Sequence, residues 1–153
     1  MYNYLTIAKK ICELSKWDAS NLELQKMMYI VHMMYYGEKE RKLSNCVFEA
    51  WKYGPVTNKL YSLCSRYGSD SVGSIVFYDV DEKLEKDDSD FIENIYFKLL
   101  ENKTPQELLN YVHNKNGAWY KVYSKDNSGR AIIDYNLILQ EYNNLKNDRG
   151  QQC

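Results

Sequence analysis

Histidine and cysteine are the side chains that most readily supply a nucleophile, a proton carrier or a transition-metal ligand near neutral pH. This chain of 153 residues has two of the first and four of the second. The cysteines stand at Cys12, Cys46, Cys64 and Cys153, far apart and without a C-x-x-C pair. With only His32 and His113 to add, a zinc site would need a scattered ligand set, so no metal and no cofactor is expected. A nucleophile–base pair of Cys46 or Cys64 with either histidine is formally available, but no spacing brings them together. His32 falls inside a strongly apolar stretch, where a buried, hydrogen-bonded imidazole is the simpler role. His113 falls near a helix end, where a charge–dipole contact is the simpler role. The carboxylate pairs Asp79/Asp81 and Asp87/Asp88 lie in a polar segment, and tuning a carboxylate for acid–base work needs burial. There is no G-x-S-x-G elbow, phosphate-binding loop or H-E-x-x-H helix. The chain therefore does not read as an enzyme.

The bulk composition narrows the classes further. Twenty basic residues against 21 acidic ones leave a net charge of −1, without the basic excess of a dedicated nucleic-acid binder. Lys39, Arg41 and Lys42 form a small basic cluster, diluted by Glu38 and Glu40. No apolar run approaches the length of a membrane span, and the first sixteen residues lack the order of a signal peptide. A cytoplasmic protein with reduced thiols is expected, with Cys12 and Cys64 as small core residues. Fifteen tyrosines against four phenylalanines suit half-buried positions and interfaces; they equally suit a genome whose codons favour Tyr, Asn and Lys.

The elements that must position these residues are mostly helical. Residues 2–16 carry Tyr4, Ile7, Ala8, Ile11 and Leu14 at helical spacing. Ser20 to Glu23 is a capping box that opens a helix apolar nearly all round, ending near Gly37 as a left-handed cap. A polar connection (38–47) leads to a helix over 55–67, with Val56, Leu60, Leu63, Cys64 and Tyr67 on one face. Ile75 to Val80 has strand composition, as does Ala131 to Ile133. A charged run leads to an N-cap at Asp88 or Ser89 and a helix to about Asn102. Thr104-Pro105-Gln106-Glu107 is a second capping box with proline at the first helical position. A short aromatic stretch (118–123), a turn at Asp126 to Gly129 and a helix capped by Asp134 complete the pattern. The expected fold is mainly α: one compact bundle of about six or seven helices with room for one short two-stranded β element. It should span residues 1–147, with a frayed tail over 148–153.

The densest local signal is EAWKYGPV, residues 49–56. Trp51 reads as a core anchor, Gly54 as a position needing unusual backbone freedom, and Pro55 as the preset first turn of the next helix. Tyr53-Gly54-Pro55-Val56 is then a corner between two chain directions. Lys52 and Tyr53 are not needed by that corner and are free to face a partner.

Taken with LQKMMYIVH (24–32), FEAWKYGPVTNKLY (48–61) and YVHNKNGAWYKVY (111–123), this block resembles the Panacea domain, the SocA-like antitoxin domain also found in phage-associated GepA-like proteins. The family pattern is a Leu-x-Lys-Leu-Leu-Tyr helix, then an acidic-Ala-Trp-x-x-Gly-Pro-Val block, then a His/Trp segment. Methionines replace the usual leucines here. Asn116-Gly117-Ala118 stand where a more compact polar-Pro-Trp arrangement is common. The resemblance implies a helical antitoxin of a toxin–antitoxin pair that neutralises a cognate toxin by direct protein binding. One branch of the family instead acts as an adaptor that delivers the toxin to a AAA+ protease. It marks Lys26, Tyr29, Trp51, Gly54, Pro55, Val56 and Trp119 as motif positions. Lys52, Tyr53, Tyr61 and His113 are the candidate toxin-binding residues. Some members carry an additional DNA-binding domain, for which this chain is too short, so no direct nucleic-acid binding is expected.

Overall fold

A helix with no polar face has nowhere to go but the centre, and helix α2 (Asn21–Lys39) occupies it. Every residue from Leu24 to Tyr35 is buried, Gln25, Lys26 and His32 included. The computed structural model describes residues 1–126 and 128–151, and side chains through Asp148 apart from Asn127. The capping box is formed: the Glu23 amide donates to Ser20 Oγ at 3.3 Å and the Ser20 amide to Glu23 Oε1 at 3.2 Å. Around α2 pack α1 (Tyr4–Leu14), α4 (Lys86–Ile95), α5 (Pro105–Val112) and α7 (Tyr135–Gln151). Thr104 and Glu107 form the second box, with Pro105 at the first helical position. Asp134 caps α7 by accepting from the Asn136 amide at 2.7 Å. The backbone of 148–151 continues α7, while residues 152 and 153 of the expected tail lie outside the described residues. No helix among the described residues is long and apolar enough to cross a membrane.

The β element has three strands. β1 (Glu49–Trp51) is central, antiparallel to β2 (Gly54–Val56) and to β3 (Ala131–Ile132), with Ala50 opposite both Pro55 and Ala131. Pro55 thus lies in a strand and does not start a helix. β2 is an edge strand, where a missing N–H costs no ladder bond. The next helix, α3, runs Asn58–Cys64, and α6 is Ala118–Tyr123.

The segment expected as a strand over 75–80 is a 3-10 turn over Ser74–Phe77. Its bonds close locally, Val76 N–H to Gly73 O at 3.3 Å and Val80 N–H to Phe77 O at 3.1 Å. Strand propensity measures fit to a sheet surface, and this segment packs on α1, with Phe77 buried against Trp17. Gly37 does not end α2. The helix runs on to Lys39, and Glu40 adopts the left-handed conformation at φ 58°. Gly37 is a close-approach position: a Cβ there would run into the Tyr142 ring. Trp51 is half-buried and anchors no core.

Helix α4 starts at Lys86, ahead of the expected cap, and Asp88 in its first turn is not solvated. It is 7 % exposed and accepts from the hydroxyls of Tyr2 at 2.7 Å and Tyr35 at 2.8 Å. A carboxylate in the first helical turn is also favoured by the helix dipole. Cys12, Cys46 and Cys64 are buried, and burial pushes their thiols up to about 12, 12 and 11.

Candidate functional site

Strands β1 and β2 are joined by two residues, Lys52 and Tyr53, at the tip of a hairpin. Trp51 pairs with Gly54, whose φ of +123° is open to glycine and strained for any other residue. The motif is a corner, as its residues suggest, but the corner is a hairpin turn and its tip projects. Tyr53 is 58 % exposed, and Lys52 Nζ lies 5.5 Å from its ring centroid. Trp51 lies along the hairpin's outer side. Its indole N–H donates to Glu49 Oε1 at 2.9 Å, and Tyr61 lies 5.0 Å away. The Arg130 guanidinium covers the indole face at 4.3 Å, within cation–π range.

The hairpin is held from behind by the second tryptophan. Trp119, 6 % exposed, donates its indole N–H to the Trp51 carbonyl at 2.6 Å. One face of Trp119 stacks on His113, 3.9 Å away and 2° from parallel. It also stacks with Tyr123 at 5.0 Å and 14°. Glu141, on α7, fixes the start of α6 and so the place of Trp119. Its carboxylate accepts from the Tyr29 hydroxyl at 2.5 Å, the Ala118 amide at 3.1 Å and Asn114 Nδ2 at 3.3 Å. Burial and the neighbouring Glu141 charge push the Tyr29 hydroxyl well above its ordinary value, so Tyr29 is a neutral donor.

His113 caps α5 and its Nε2 is sealed from solvent without a hydrogen bond of ordinary geometry. A Cβ at Gly54 would lie 3.4 Å from that atom, so glycine leaves the histidine room. Burial lowers the His113 pKa, the Tyr53 backbone opposes this, and the Lys26 charge adds to the lowering. The imidazole is neutral at pH 7, which replaces the expected charge–dipole contact by a stacking one. Lys26, on α2, is 6 % exposed, and burial lowers its pKa against a favourable field from Glu23.

His32 and Cys46, two groups of the Cys–His alternative, each bond to other side chains. His32 bonds Met28 O and Ser44 Oγ, each at 2.6 Å. A carbonyl only accepts, so Nδ1 carries the proton and Ser44 donates to Nε2. Burial lowers the His32 pKa to about 4. Cys46 Sγ contacts Thr57 Oγ1 at 2.8 Å. Both groups are sealed in the core, where a serine–histidine contact latches the 43–46 segment onto α2. Among the described residues no three His, Cys, Asp or Glu side chains gather as metal ligands. A groove of about 680 Å³ opens beside Glu49, with Val47 and Leu63 half-exposed on its wall.

Of the motif residues, Trp51, Gly54 and Trp119 come together with His113, Tyr53 and Lys52 at one end of the molecule. Tyr61 joins them through Trp51, and Lys26 through its field on His113. Pro55 and Val56 are buried in β2, and Tyr29 lies deeper, edge-on to Phe48 at 5.3 Å. Sequence reasoning misses Arg130 and Glu141. Arg130 follows the Ser128-Gly129 turn and could have been sought as a partner for an exposed tryptophan. Glu141 carries no sequence signal, being one of many glutamates on helices.

The sequence model of the antitoxin SocA-like Panacea domain matches residues 24–120. Antitoxin SocA of Caulobacter vibrioides (strain NA1000 / CB15N) is 47 % identical over 49 residues, covering 32 % of this chain and 26 % of that protein. This chain thus matches about a quarter of that relative's length. No solved structure matches.

Proposed function

Because the chain belongs to the antitoxin SocA-like Panacea family, we propose that it neutralises a cognate toxin by binding it directly, through the projecting β1–β2 hairpin. The observation that carries this reading is the hairpin itself. A large, half-exposed tryptophan, a 58 % exposed tyrosine and Lys52 stand on a hairpin braced by a buried indole, and Arg130, from just before β3, covers the tryptophan ring. Aromatic and arginine side chains on a rigid support are the composition of protein-binding hot spots. Rigidity also lowers the ordering cost of binding. The nucleophiles the sequence offers are buried with raised thiol pKa values, which favours occlusion over chemistry.

Co-expression with the neighbouring open reading frame tests the reading. That neighbour alone should arrest growth, and this chain should restore it and co-purify with its product. A harmless neighbour sinks the proposal. Toxin half-life separates occlusion from delivery to a AAA+ protease: equal half-lives with and without this chain support occlusion, and a fall that needs the protease supports delivery.

A further inference from the structure

The cations at the hairpin end have no carboxylate partner among the described residues, whereas the carboxylates there are occupied. Glu49 accepts from the Trp51 indole. Asp126 Oδ2 accepts from the Ser128 hydroxyl at 2.7 Å, the Gly129 amide at 2.9 Å and the Ala131 amide at 3.1 Å. Glu23 is engaged in the capping box, and Glu141 is buried under three donors. By contrast Lys26, Lys52 and Arg130 make no ion pair among the described residues; the salt bridges there involve Lys10, Arg41, Lys86 and Lys103.

Lys26 is the unusual member. A lysine 6 % exposed is ordinarily paired. This one has neither a hydrogen bond nor an ion pair among the described residues. Its Nζ is not one of the sealed, partnerless atoms, so the little surface it keeps includes the ammonium. Helix α2, which carries it, packs against both β2 and α5, and its charge is felt at His113, whose Nε2 is sealed at the Gly54 turn without a hydrogen bond of ordinary geometry. Both polar groups have already lost most of their water. An incoming carboxylate would therefore meet a cation whose desolvation has been met by folding, and would gain its attraction in a medium that screens poorly.

We propose that Lys26 is the anchor of an acidic-recognition site, where a carboxylate side chain of the bound protein pairs with the recessed ammonium while Lys52 and Arg130 steer it in over the Trp51 and Tyr53 rings. This rests on the reading of the hairpin as the protein-binding surface and adds the chemistry of what is bound: an acidic residue flanked by apolar ones. Cations among aromatics also suit nucleic acid. A recessed single charge fits one side-chain carboxylate better than a run of phosphates, and the net charge of −1 gives no general attraction for a polyanion.

The test uses the full chain and the product of the adjacent open reading frame, with affinity measured by calorimetry at low and high NaCl. Lys26→Met keeps the length and apolar stem while removing the charge, and Lys26→Arg keeps the charge. Lys26→Met should weaken binding by about 30-fold or more, the lower range for truncating one member of a desolvated pair, and should flatten the salt dependence. Lys26→Arg should retain most of the affinity and its salt dependence. A wild-type complex whose affinity and salt dependence are unchanged by Lys26→Met overturns the acidic site and leaves the hairpin reading standing. Absence of any wild-type complex overturns both. A labelled single-stranded oligonucleotide that binds the wild type and is lost with Lys26→Met also overturns it. Should Lys26→Met melt early, the double reversal Lys52→Glu, Arg130→Glu serves, with an unchanged on-rate as the refuting result.

Discussion

Truncating Trp119 removes a ring stacked on two others and the donor to the Trp51 carbonyl. Trp119→Ala should cost about 3–5 kcal/mol in urea unfolding. Trp51→Ala, which loses a half-exposed contact with Tyr61 and a cation–π contact with Arg130, should cost only about 1–2 kcal/mol. Equal costs would show that Trp51 carries core packing after all. The two tryptophans have the same composition of neighbours in sequence, and only the three-dimensional pairing of hairpin with α6 ranks them. His32 gives a pH signature. Its pKa falls from 6.5 unfolded to about 4 folded, so the unfolded chain takes up the proton first. Its contribution is complete above pH 6.5, falls as the pH drops through that window, and is gone below about 4. Between pH 7 and about 4.5 it should remove roughly 2–3 kcal/mol of stability. His32→Gln should flatten that slope in unfolding titrations, leaving the smaller slope of His113, whose pKa is also lowered. The burial of His32 was legible from its apolar helix. Its serine partner, twelve residues on, was not.

At the scale of elements, Gly37 offers the sharpest test. Gly37→Ala places a methyl against the Tyr142 ring and should destabilise by about 1–3 kcal/mol, the usual cost of overpacking, despite alanine's better helix propensity. In a Tyr142→Ala background the same change should become neutral or stabilising, measured as a double-mutant cycle on melting. A glycine after a helical run reads as a cap because capping is local, and α7 is absent from that local view. The same distinction separates what else could be read. Both capping boxes formed as their spacing specifies, since each closes within four residues. The hairpin was missed because Pro55 fits a helix start as well as an edge strand, and only the neighbouring β1 and β3 decide between them. The 75–80 segment has strand residues but no sheet edge to meet, so its composition misleads.

For the molecule as a whole, the site depends on a relay between distant parts of the chain. Glu141 on α7 holds the Ala118 amide, α6 then holds Trp119, and Trp119 holds the hairpin through the Trp51 carbonyl. Neither α1 nor α7 falls inside the stretch 24–120 that identifies the family. A chain shortened to remove residues 135–151 keeps every residue of the hairpin and every motif position. It should nonetheless lose partner binding, together with the near-ultraviolet circular dichroism of the ring stack. Retained binding with a retained aromatic signal would mean that α6 holds its place unaided. The recognisable signature and the physical folding unit are therefore different objects. A boundary drawn at the edge of the signature would cut the support of a surface lying well inside it, and a fragment screened on that basis would fail for a reason invisible at the hairpin.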